Sequence, residues 1–469
     1  METIIQCTLT VTNPLEWIEI EGFRGFAEKV HLNLAKPNGK KGSGLTIIVG
    51  PNNTGKSTII ESLHILSGTQ EVSFNEFMTN KKTEHKIEIT IKHKSGLIKK
   101  LKTREGGGSE TEWETTGNEI NPSRIFVLSS RRGFGPLLRS QAKRVKEDRL
   151  KYISNTPFSG NRREEIDRFQ TRVFKWQNNK KRFKEELKKI LDLLPEWKIN
   201  SYPTGENYLE ISEGEVRYDS EGLGDGILNI LMIADAFYDS DPKETIVIDE
   251  PELSLHPSLQ KKLLNFLSEY AKDRNIVIST HSPYFINFDY LVNGAILIRT
   301  AKENSSIKLY QLSKKSIINI KNFKNDLFNP HILGLNAKEV FFLEDKVILV
   351  EGQKDVICYE NILNQLGITL KGEFFGWGVG GADKMRIIAQ ILEELGFKKV
   401  VGILDSNKKK NAKKLEEKFK NYSFLNIPTE DVIDKKNKIG ICDKHGILKS
   451  EYIDIMKKMF DNINSTLET

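Results

Sequence analysis

The segment GPNNTGKST at residues 50–58 constrains the fold of this chain more than any other feature. A short apolar, β-prone run precedes it at 45–49, and helix formers follow at 59–66. The glycine spacing lets backbone N–H groups wrap around phosphates, while Lys56 can reach a β- or γ-phosphate and Ser57 a Mg²⁺ ion. The sequence therefore predicts a strand, a phosphate-binding loop and a helix. The residues expected to bind ATP here are Gly50, Asn53, Gly55, Lys56, Ser57 and Thr58.

Two further predicted strands end in polar side chains that suit the same site. The apolar run at 245–248 leads into Asp249 and Glu250, and the run at 275–279 leads to His281. Asp249 could complete the Mg²⁺ shell, and Glu250 is placed to orient or deprotonate an attacking water. His281 could sense the γ-phosphate by a hydrogen bond. The alternative is that the acids only cap a helix.

A glycine-bearing loop, SEGLG, begins at Ser220 and precedes an apolar helix. Ser220 and Gly222 could present a hydroxyl and helix-start N–H groups to an anion. A serine followed by glycine before a helix is more often only an N-cap. Both residues are candidates for nucleotide binding.

Five segments resemble, in their order along the chain, the ABC/SMC/RecF class of ATPases: WIEIEGFRGF, GPNNTGKST, SEGLG, TIVIDEPELSLHP and STHSPYF. The resemblance extends to about residue 340. It implies that ATP holds two ATPase heads together, with Ser220 of one copy acting on the nucleotide bound at Lys56 of the other. The expected assembly is a homodimer or higher homo-oligomer formed through these heads.

The insertion between the two nucleotide-binding halves, about residues 131–200, is short and basic. Apolar residues near a 3.5-residue spacing predict a helical hairpin or dimerisation helix, and packing of this stripe on the ATPase core fits equally well. Basic residues outnumber acidic ones at 131–151, which favours DNA phosphate contacts over a merely solvated helix face. The stripe consists of Phe169, Val173, Trp176, Phe183, Leu187, Ile190 and Leu194.

The C-terminal part of the chain has its own acidic strand ends. A predicted strand at 346–350 ends in Glu351, with Asp355 shortly after it, and a second at 399–404 ends in Asp405. Strands that alternate with helices predict a small parallel sheet, whose carboxyl-terminal edge would collect these acids. Their hard oxygen ligands suit Mg²⁺ or Mn²⁺. A flavodoxin-like domain whose acids merely cap helices is the alternative.

The segments VILVEGQKD, GWGVGGADK and VVGILDSN resemble the three parts of a Toprim domain, the metal-binding fold of topoisomerases, primases and OLD-family nucleases. The resemblance implies that Glu351 acts as a general acid–base group or metal ligand. It also implies that Asp355 and Asp405 hold metal.

The second acidic position of this Toprim pattern is Asn407, which can offer a carbonyl ligand but removes one negative charge. Glu430 and Asp431 are the nearest carboxylates that could replace it, and Glu430 is taken as the metal ligand. A lysine is often needed to stabilise the phosphate in the transition state. The lysines at 408–410 and at 435–436 are available, and the sequence gives no basis for choosing among them.

An ABC-type ATPase followed by Toprim is the arrangement of the OLD (overcoming lysogenization defect) family of ATP-dependent endonucleases, many of which act in bacterial anti-phage defence. The expected fold class is α/β. An ABC-type P-loop ATPase head with a short helical insertion occupies residues 1–337, and a small Toprim domain with a Rossmann-like parallel sheet occupies 338–469. The Lys/Asn-rich stretch at 313–334 is predicted to be a connector.

Composition excludes several other classes of protein. The 469 residues carry 71 Lys+Arg against 64 Asp+Glu, a net charge of +7, with 38% hydrophobic residues, which is typical of a globular protein of two or three domains. Cys7, Cys358 and Cys442 lack the spacing of a zinc site or disulfide framework. The start lacks a secretory signal pattern, and no apolar run reaches the ~18 residues of a membrane span. A cytoplasmic location without a membrane partner is expected.

These features predict a DNA endonuclease or nickase that is regulated by ATP and requires Mg²⁺ or Mn²⁺. One alternative is an ATPase sensor or scaffold whose Toprim domain has lost its chemistry through Asn407 and binds a partner effector. Another is a RecF-like DNA-repair clamp. A protein or retron-type defence partner also stays open.

Overall fold

The computed structural model describes residues 14–67, 72–105, 110–117, 124–130, 180–191, 196–201, 207–213, 215–218, 225–238, 240–242, 244–324, 338 and 345–468. Two compact units divide the chain. The first consists of Met1–Ile48, Asn53–Ile296 and Lys302–Leu309, and the second of Val49–Asn52, Leu297–Ala301 and Tyr310–Thr469. The domain boundary at residue 338 stays a prediction.

The strands and helices follow one another through both units. The strands are β1 (Leu15–Glu21), β2 (Val30–Asn33), β3 (Leu45–Val49), β4 (Glu88–His93), β5 (Ile98–Thr103), β6 (Thr111–Thr116), β7 (Ile125–Leu128), β8 (Glu196–Ser201), β9 (Asn207–Glu213), β10 (Val216–Tyr218), β11 (Thr245–Asp249), β12 (Asn275–Ser279), β13 (Ile296–Glu303), β14 (Ser306–Gln311), β15 (Val347–Val350), β16 (Glu373–Phe374), β17 (Val400–Leu404), β18 (Ser423–Asn426), β19 (Asp431–Ile433) and β20 (Gly440–Cys442). The α-helices are α1 (Lys56–Ser67), α2 (Lys180–Lys188), α3 (Asp225–Tyr238), α4 (Pro257–Tyr270), α5 (Phe288–Asn293), α6 (Lys314–Lys324), α7 (Gln353–Leu366), α8 (Ala382–Glu394), α9 (Lys409–Lys418) and α10 (Ile453–Glu468).

The largest sheet has the strand order β14-β13-β3-β12-β11-β7. Strands β3, β12, β11 and β7 are parallel, and every residue of β3, β11 and β12 is buried. Continuous apolar runs of this kind are typical of parallel strands that are covered on both faces. Because the strands run in one direction, the loops that follow β3, β11 and β12 leave from the same edge of the sheet.

Two antiparallel sheets complete the first unit. One has the order β2-β1-β4-β5-β6, and the other has the order β10-β9-β8. In the larger of them, β1 pairs with both β2 and β4, and the core-facing side chains of β1 include Ile18 and Ile20. This alternation of buried and exposed residues is typical of an antiparallel sheet with one solvated face.

The apolar stripe of the insertion packs on the ATPase core in its described part. Phe183 and Ile190 are fully buried, and the Phe183 ring meets Trp197 and Tyr238 edge-on at 5.9 and 5.6 Å between ring centroids. Helix α2 lies against α3. For these residues the core-packing alternative is therefore favoured over a dimerisation helix. The basic run and the first half of the stripe fall in 131–179, outside the described residues.

The second unit contains an all-parallel sheet of four strands in the order β16-β15-β17-β18. Strands β15 and β17 are fully buried, and helices α7 and α10 contribute to the same core through Tyr359 and Phe460, whose rings meet edge-on. The small parallel α/β sheet predicted for this region is confirmed. Its central strands, β15 and β17, are the two whose ends carry Glu351 and Asp405.

The stretch predicted as a connector at 313–334 contains a helix, α6, which spans Lys314–Lys324. Ser313 caps the helix by accepting a hydrogen bond from the Ser316 N–H at 3.2 Å. Ile320 is fully buried, and α6 packs against α8. One buried apolar face is enough to stabilise a helix here, although the segment is rich in Lys and Asn.

The described helices include none that is both long and apolar enough to cross a membrane. Cys358 and Cys442 are buried free thiols, as expected for structural cysteines.

Candidate functional site

The phosphate-binding loop joins the end of β3 to the start of α1, as predicted. Gly50, Asn53 and Gly55 all have positive φ, at 141°, 62° and 89°. A Cβ atom on Gly50 would come within 2.4 Å of the Thr300 carbonyl oxygen, and one on Gly55 within 2.4 Å of Ile307. Both conformation and space therefore favour glycine at Gly50, and the conformation favours it at Gly55, where the nearest atom is the flexible end of the Ile307 side chain.

Lys56, the first residue of α1, has an almost completely buried side chain. Burial lowers its pKa to about 8, while the carboxylates of Glu250, Asp249 and Glu252 act in the opposite direction. The lysine is thus held among acids in a poorly solvated position. A cation in such a place interacts strongly with an incoming phosphate, because little water screens the charge. Ser57 and Thr58 follow it in the first turn of the helix.

Asp249 is the last residue of β11, and two hydroxyl groups orient its carboxylate. Ser279 Oγ donates to Oδ1, and Ser130 Oγ donates to Oδ2 at 2.6 Å. A buried carboxylate fixed in this way is suited to holding a cation directly or through water. Neither serine was singled out by the sequence, because a hydroxyl at a strand end carries no pattern of its own.

Glu250 and His281 come together at the same edge of the sheet. His281 Nε2 lies 3.8 Å from Glu250 Oε1, and Glu250 has a left-handed backbone with φ 51°. Burial, and then the neighbouring Asp249 charge, raise the pKa of Glu250, while burial and the Lys56 charge lower the pKa of His281. A carboxylate with a raised pKa next to a neutral imidazole can accept a proton from water and orient it.

Glu252 is a member of this group that sequence reasoning missed. Its Oε1 accepts a hydrogen bond from the backbone N–H of His281 at 2.6 Å, and burial raises its pKa to about 7. It therefore links the loop after β11 to the loop after β12. The repeated Glu-x-Glu spacing of Glu250 and Glu252 was the available signal.

Ser220 and Gly222, the predicted signature residues, lie outside the described residues. Their role in nucleotide binding stays a prediction.

The acids predicted for the second site end the two central strands of the four-stranded sheet. In the register of β15 and β17, Val350 pairs with Ile403, so that Glu351 and Asp405 follow at the same edge. The backbone N–H of Asp405 donates to Glu351 Oε1 at 3.2 Å. Parallel pairing thus brings together two acids that are far apart in sequence, as predicted.

Two further carboxylates, Asp355 and Asp431, influence this pair electrostatically. Asp355 Oδ2 accepts the backbone N–H of Gly352 at 2.8 Å, and burial raises the Asp355 pKa to about 6. Burial, followed by the charges of Glu351, Asp355 and Asp431, raises the pKa of Asp405 to about 7. The site is therefore an acidic cluster in which the neighbouring charges oppose the ionisation of Asp355 and Asp405.

Asp431, rather than Glu430, belongs to this cluster. Asp431 is buried at the start of β19 and acts electrostatically on both Asp355 and Asp405, whereas Glu430 is exposed. Asn407 is also exposed, in the short 3₁₀ turn Ser406–Lys408.

Lys435 is the lysine that accompanies the acids. It forms an ion pair with Asp431, and this hydrogen bond raises the Lys435 pKa. The sequence left the choice among several lysines open, and these contacts single out one of them.

The glycine-rich turn after β16 fixes the backbone around Glu351. A Cβ atom on Gly378 would lie 2.7 Å from the Gly352 backbone, and the Gly381 N–H donates to the Glu351 carbonyl at 2.8 Å. The segment GWGVGG therefore packs directly on the loop that carries the glutamate. Glycine is needed at Gly378 for this close approach.

The acidic cluster matches the donor chemistry of a Mg²⁺ or Mn²⁺ site, since all its side-chain donors are carboxylate oxygens. In the described part of the chain, no three His, Cys, Asp or Glu side chains are grouped so as to hold an ion. Glu351, Asp355, Asp405 and Asp431 are therefore the candidate ligands by their chemistry, and they would have to draw closer together to share one ion.

Comparison with known proteins gives two family matches. Residues 45–287 match the family described as "AAA domain, putative AbiEii toxin, Type IV TA system". Residues 342–406 match the family described as "Overcoming lysogenization defect protein-like, TOPRIM domain". The second match contains Glu351, Asp355 and Asp405.

Two curated relatives are similar over different shares of their length. The OLD nuclease of Thermus scotoductus is 25% identical over 423 residues, covering 76% of this chain and 77% of the relative. Endonuclease GajA of Bacillus cereus is 27% identical over 173 residues, covering 36% of this chain and 27% of that protein. Among solved structures, the SMC head domain from Thermotoga maritima aligns at 14% identity with a TM-score of 0.39, over 64% of this chain and 99% of that one.

The first family match spans more than half of the chain, and the second spans both acidic strand ends of the C-terminal sheet. The chain belongs to this AAA-domain family, and it is an OLD-type enzyme in which an ATPase domain precedes a Toprim nuclease domain.

Proposed function

We propose that this chain is an ATP-regulated DNA endonuclease or nickase that requires Mg²⁺ or Mn²⁺. Its cutting site is the acidic cluster of Glu351, Asp355, Asp405 and Asp431. The nucleotide site around Lys56 controls the access of DNA to this cluster.

The observation that carries the proposal is the hydrogen-bonded pair of acids at adjacent parallel strand ends. The Asp405 N–H donates to Glu351 Oε1, and burial together with nearby carboxylates raises the Asp405 pKa to about 7. Half-buried carboxylates in one cluster are unfavourable unless a cation compensates them. A bound divalent ion would supply that compensation and would polarise the phosphate to be cut.

Two side chains support the proposed hydrolysis of a phosphodiester. Glu351 is fixed at the strand end and is suited to accept the proton of the attacking water. Lys435 is paired with Asp431, and its raised pKa keeps it charged at neutral pH. A fixed cation beside the acids would stabilise the negative charge that develops on the phosphate.

The ATPase domain is proposed to control cutting through the association of two heads. ATP bound at Lys56 of one copy would be completed by Ser220 and Gly222 of another. Closure of two heads changes the spacing of the domains attached to them. Glu250 and His281, 3.8 Å apart, are suited to limit the lifetime of the closed state by hydrolysing the nucleotide.

The biological role that we propose is bacterial anti-phage defence, in which many OLD-family proteins act. The support for this role is the order of the two domains.

The decisive experiment is nicking of supercoiled plasmid by the purified chain in Mg²⁺ or Mn²⁺, with and without ATP. Glu351→Gln should lower the rate of cutting by a factor of at least about 10³, because both proton transfer and metal binding are lost. ATP hydrolysis should remain, since the two sites have separate residues. Lys56→Ala should abolish hydrolysis and will show in which direction ATP acts on cutting.

Glu373→Gln is the matched control. Glu373 is an exposed glutamate at the start of β16, in the same sheet but opposite the start of β15 rather than its end. This variant should cut like the wild type. Equal cutting by Glu351→Gln and the wild type would contradict the proposed site.

A sensor or scaffold function is the second candidate, because Asn407 is exposed where a Toprim domain usually has an acid. ATP hydrolysis without cutting in any metal, together with a gain of cutting in Asn407→Asp, would favour it.

A further inference from the structure

Helix α9 (Lys409–Lys418) begins four residues after Asp405 and carries a concentrated positive charge. Its first six residues contain Lys409, Lys410, Lys413 and Lys414, all of which are exposed. Its two acidic residues, Glu416 and Glu417, lie in the second half. In the part of the helix that follows Asp405 most closely, all charged side chains are therefore exposed cations.

These four lysines form what we call the α9 lysine face: Lys409, Lys410, Lys413 and Lys414. Within the described residues, no ion pair joins any of them to an acidic side chain.

The charge order of α9 disfavours the helix itself. The lysines in the first turn and the acids near the end oppose the helix dipole, and only Lys418 in the last turn favours it. Lys409 and Lys413, like Lys410 and Lys414, are like-charged neighbours four residues apart, which destabilises a helix further. Glu416 and Glu417 lie one turn after Lys413 and offset part of this repulsion, whereas no acidic residue of the helix lies one turn from Lys409 or Lys410.

The helix is nevertheless held rigidly beside the acidic site. Ala412 and Leu415 are buried on its inner side, and the Lys408 N–H donates to the Asp405 carbonyl at 3.0 Å. At its far end the Glu416 carboxylate accepts the Phe424 N–H at 3.3 Å. The lysine face therefore has a fixed position relative to Asp405.

We propose that the α9 lysine face binds the phosphate backbone of duplex DNA next to the scissile bond. This inference rests on the proposed nuclease function and specifies how the substrate is held. Phosphates that flank the cut site would supply the negative charges that the lysines lack within the protein. The acidic cluster would meet only the phosphate that is cut.

The size of the face fits this role. The six residues 409–414 that carry the face span about 9 Å of helix at ~1.5 Å per residue. Duplex DNA carries one charge per ~1.7 Å of its axis, so a helix of this length faces several phosphates. Contacts of this kind are independent of base sequence and position the duplex.

The test is the salt dependence of DNA binding by the full chain, without divalent metal so that no cutting occurs. Binding of a fluorescent duplex is measured between about 50 and 200 mM KCl, and log K is plotted against log[KCl]. Each lost phosphate contact makes the slope shallower by roughly 0.9. Substitution of all four lysines by alanine should make the slope shallower by about 3 to 4 and weaken binding on the order of tenfold or more.

Lys457→Ala/Lys458→Ala on α10 is the matched control and should leave the slope unchanged. The melting temperature of the fourfold α9 variant is the second readout. It should equal or exceed that of the wild type, because alanine favours the helix and the unfavourable charges are removed. A lower melting temperature with weaker binding would mean that the lysines are structural, and it would overturn the proposal.

Failure of this inference is distinguishable from failure of the proposed function. If the wild type nicks plasmid and binds DNA but the fourfold variant has the same slope, only the lysine face is wrong. If the wild type neither binds duplex DNA nor nicks plasmid, both are wrong.

Discussion

The two sites of this enzyme both collect carboxylates at the ends of strands, but they differ in how the negative charge is balanced. Each gathers carboxylates where parallel strands end: Asp249 and Glu250 after β11, Glu351 and Asp405 after β15 and β17. In the ATPase site a buried lysine, Lys56, lies among the acids. In the Toprim site burial, and then the neighbouring acids, raise the pKa of Asp355 and of Asp405.

The difference indicates where each site obtains its positive charge. The ATPase site carries its principal cation on the chain and so is prepared to receive a phosphate. In the Toprim site, the Lys435 ion pair with Asp431 leaves the pKa of Asp405 still raised to about 7. A proton or a cation from solution can compensate these acids. We expect the first site to respond most to side-chain replacement and the second to metal and pH as well.

The largest effect should come from Glu250→Gln in the ATPase site. Loss of the proton acceptor should lower kcat for ATP hydrolysis by about 10²- to 10⁴-fold. Nucleotide binding should persist, because Lys56 and the loop are unchanged. Steady-state hydrolysis and nucleotide binding measure the two effects separately. Glu252→Gln is the comparison variant. It should lower kcat by less than about tenfold, because the amide oxygen can still accept a hydrogen bond from the backbone N–H of His281.

A smaller effect distinguishes two adjacent acids of the Toprim site. Asp431→Asn should raise the metal concentration needed for half-maximal cutting by about 10- to 100-fold, because it removes a buried carboxylate of the cluster. Glu430→Gln should leave that concentration unchanged, since Glu430 is exposed. Metal titration of plasmid nicking measures both. A larger effect of Glu430→Gln than of Asp431→Asn would instead identify Glu430 as the metal ligand.

The smallest effect concerns stability without metal. The folded pKa of Asp405 is about 7, above its ordinary value of 3.8, so the folded state binds more protons than the unfolded state between these values. Stability contributed by this group is therefore present below pH 4 and falls as the pH rises toward 7. Asp405→Asn should remove this fall and raise the melting temperature at pH 8 by roughly 2–4 °C.

Thermal unfolding in EDTA at several pH values tests this expectation. Asp461→Asn, at an exposed position of α10, is the control and should keep the wild-type pH dependence. A fall in melting temperature in Asp405→Asn at pH 8 would contradict the raised pKa.

The sequence was most informative where one motif determines both conformation and chemistry. The strand and helix around GPNNTGKST were predictable, because a phosphate-binding loop needs glycine at Gly50 and Gly55 and a helix directly after it. The acidic ends of β11, β15 and β17 were predictable for a similar reason. An apolar run that stops at an acid indicates both the strand and its end.

The sequence was least informative where the role of a residue depends on the direction in which its side chain points. Glu430 and Asp431 are adjacent acids, and successive residues of extended chain point to opposite sides. The start of β19 at Asp431 settles which one is buried, and no pattern in IPTEDVID specifies it. Ser130 is similar, because its contact with Asp249 depends on the pairing of β7 with β11.

The left-handed backbone of Glu250 has a consequence for how such an enzyme changes under selection. A residue with a side chain at φ 51° costs about 1–2 kcal/mol, which glycine would not incur. Glu250→Gly would therefore relieve strain in the same step that removes the proton acceptor. Selection for yield or heat resistance alone would therefore favour Glu250→Gly. In laboratory evolution, the glutamate is retained only if the screen requires ATP hydrolysis.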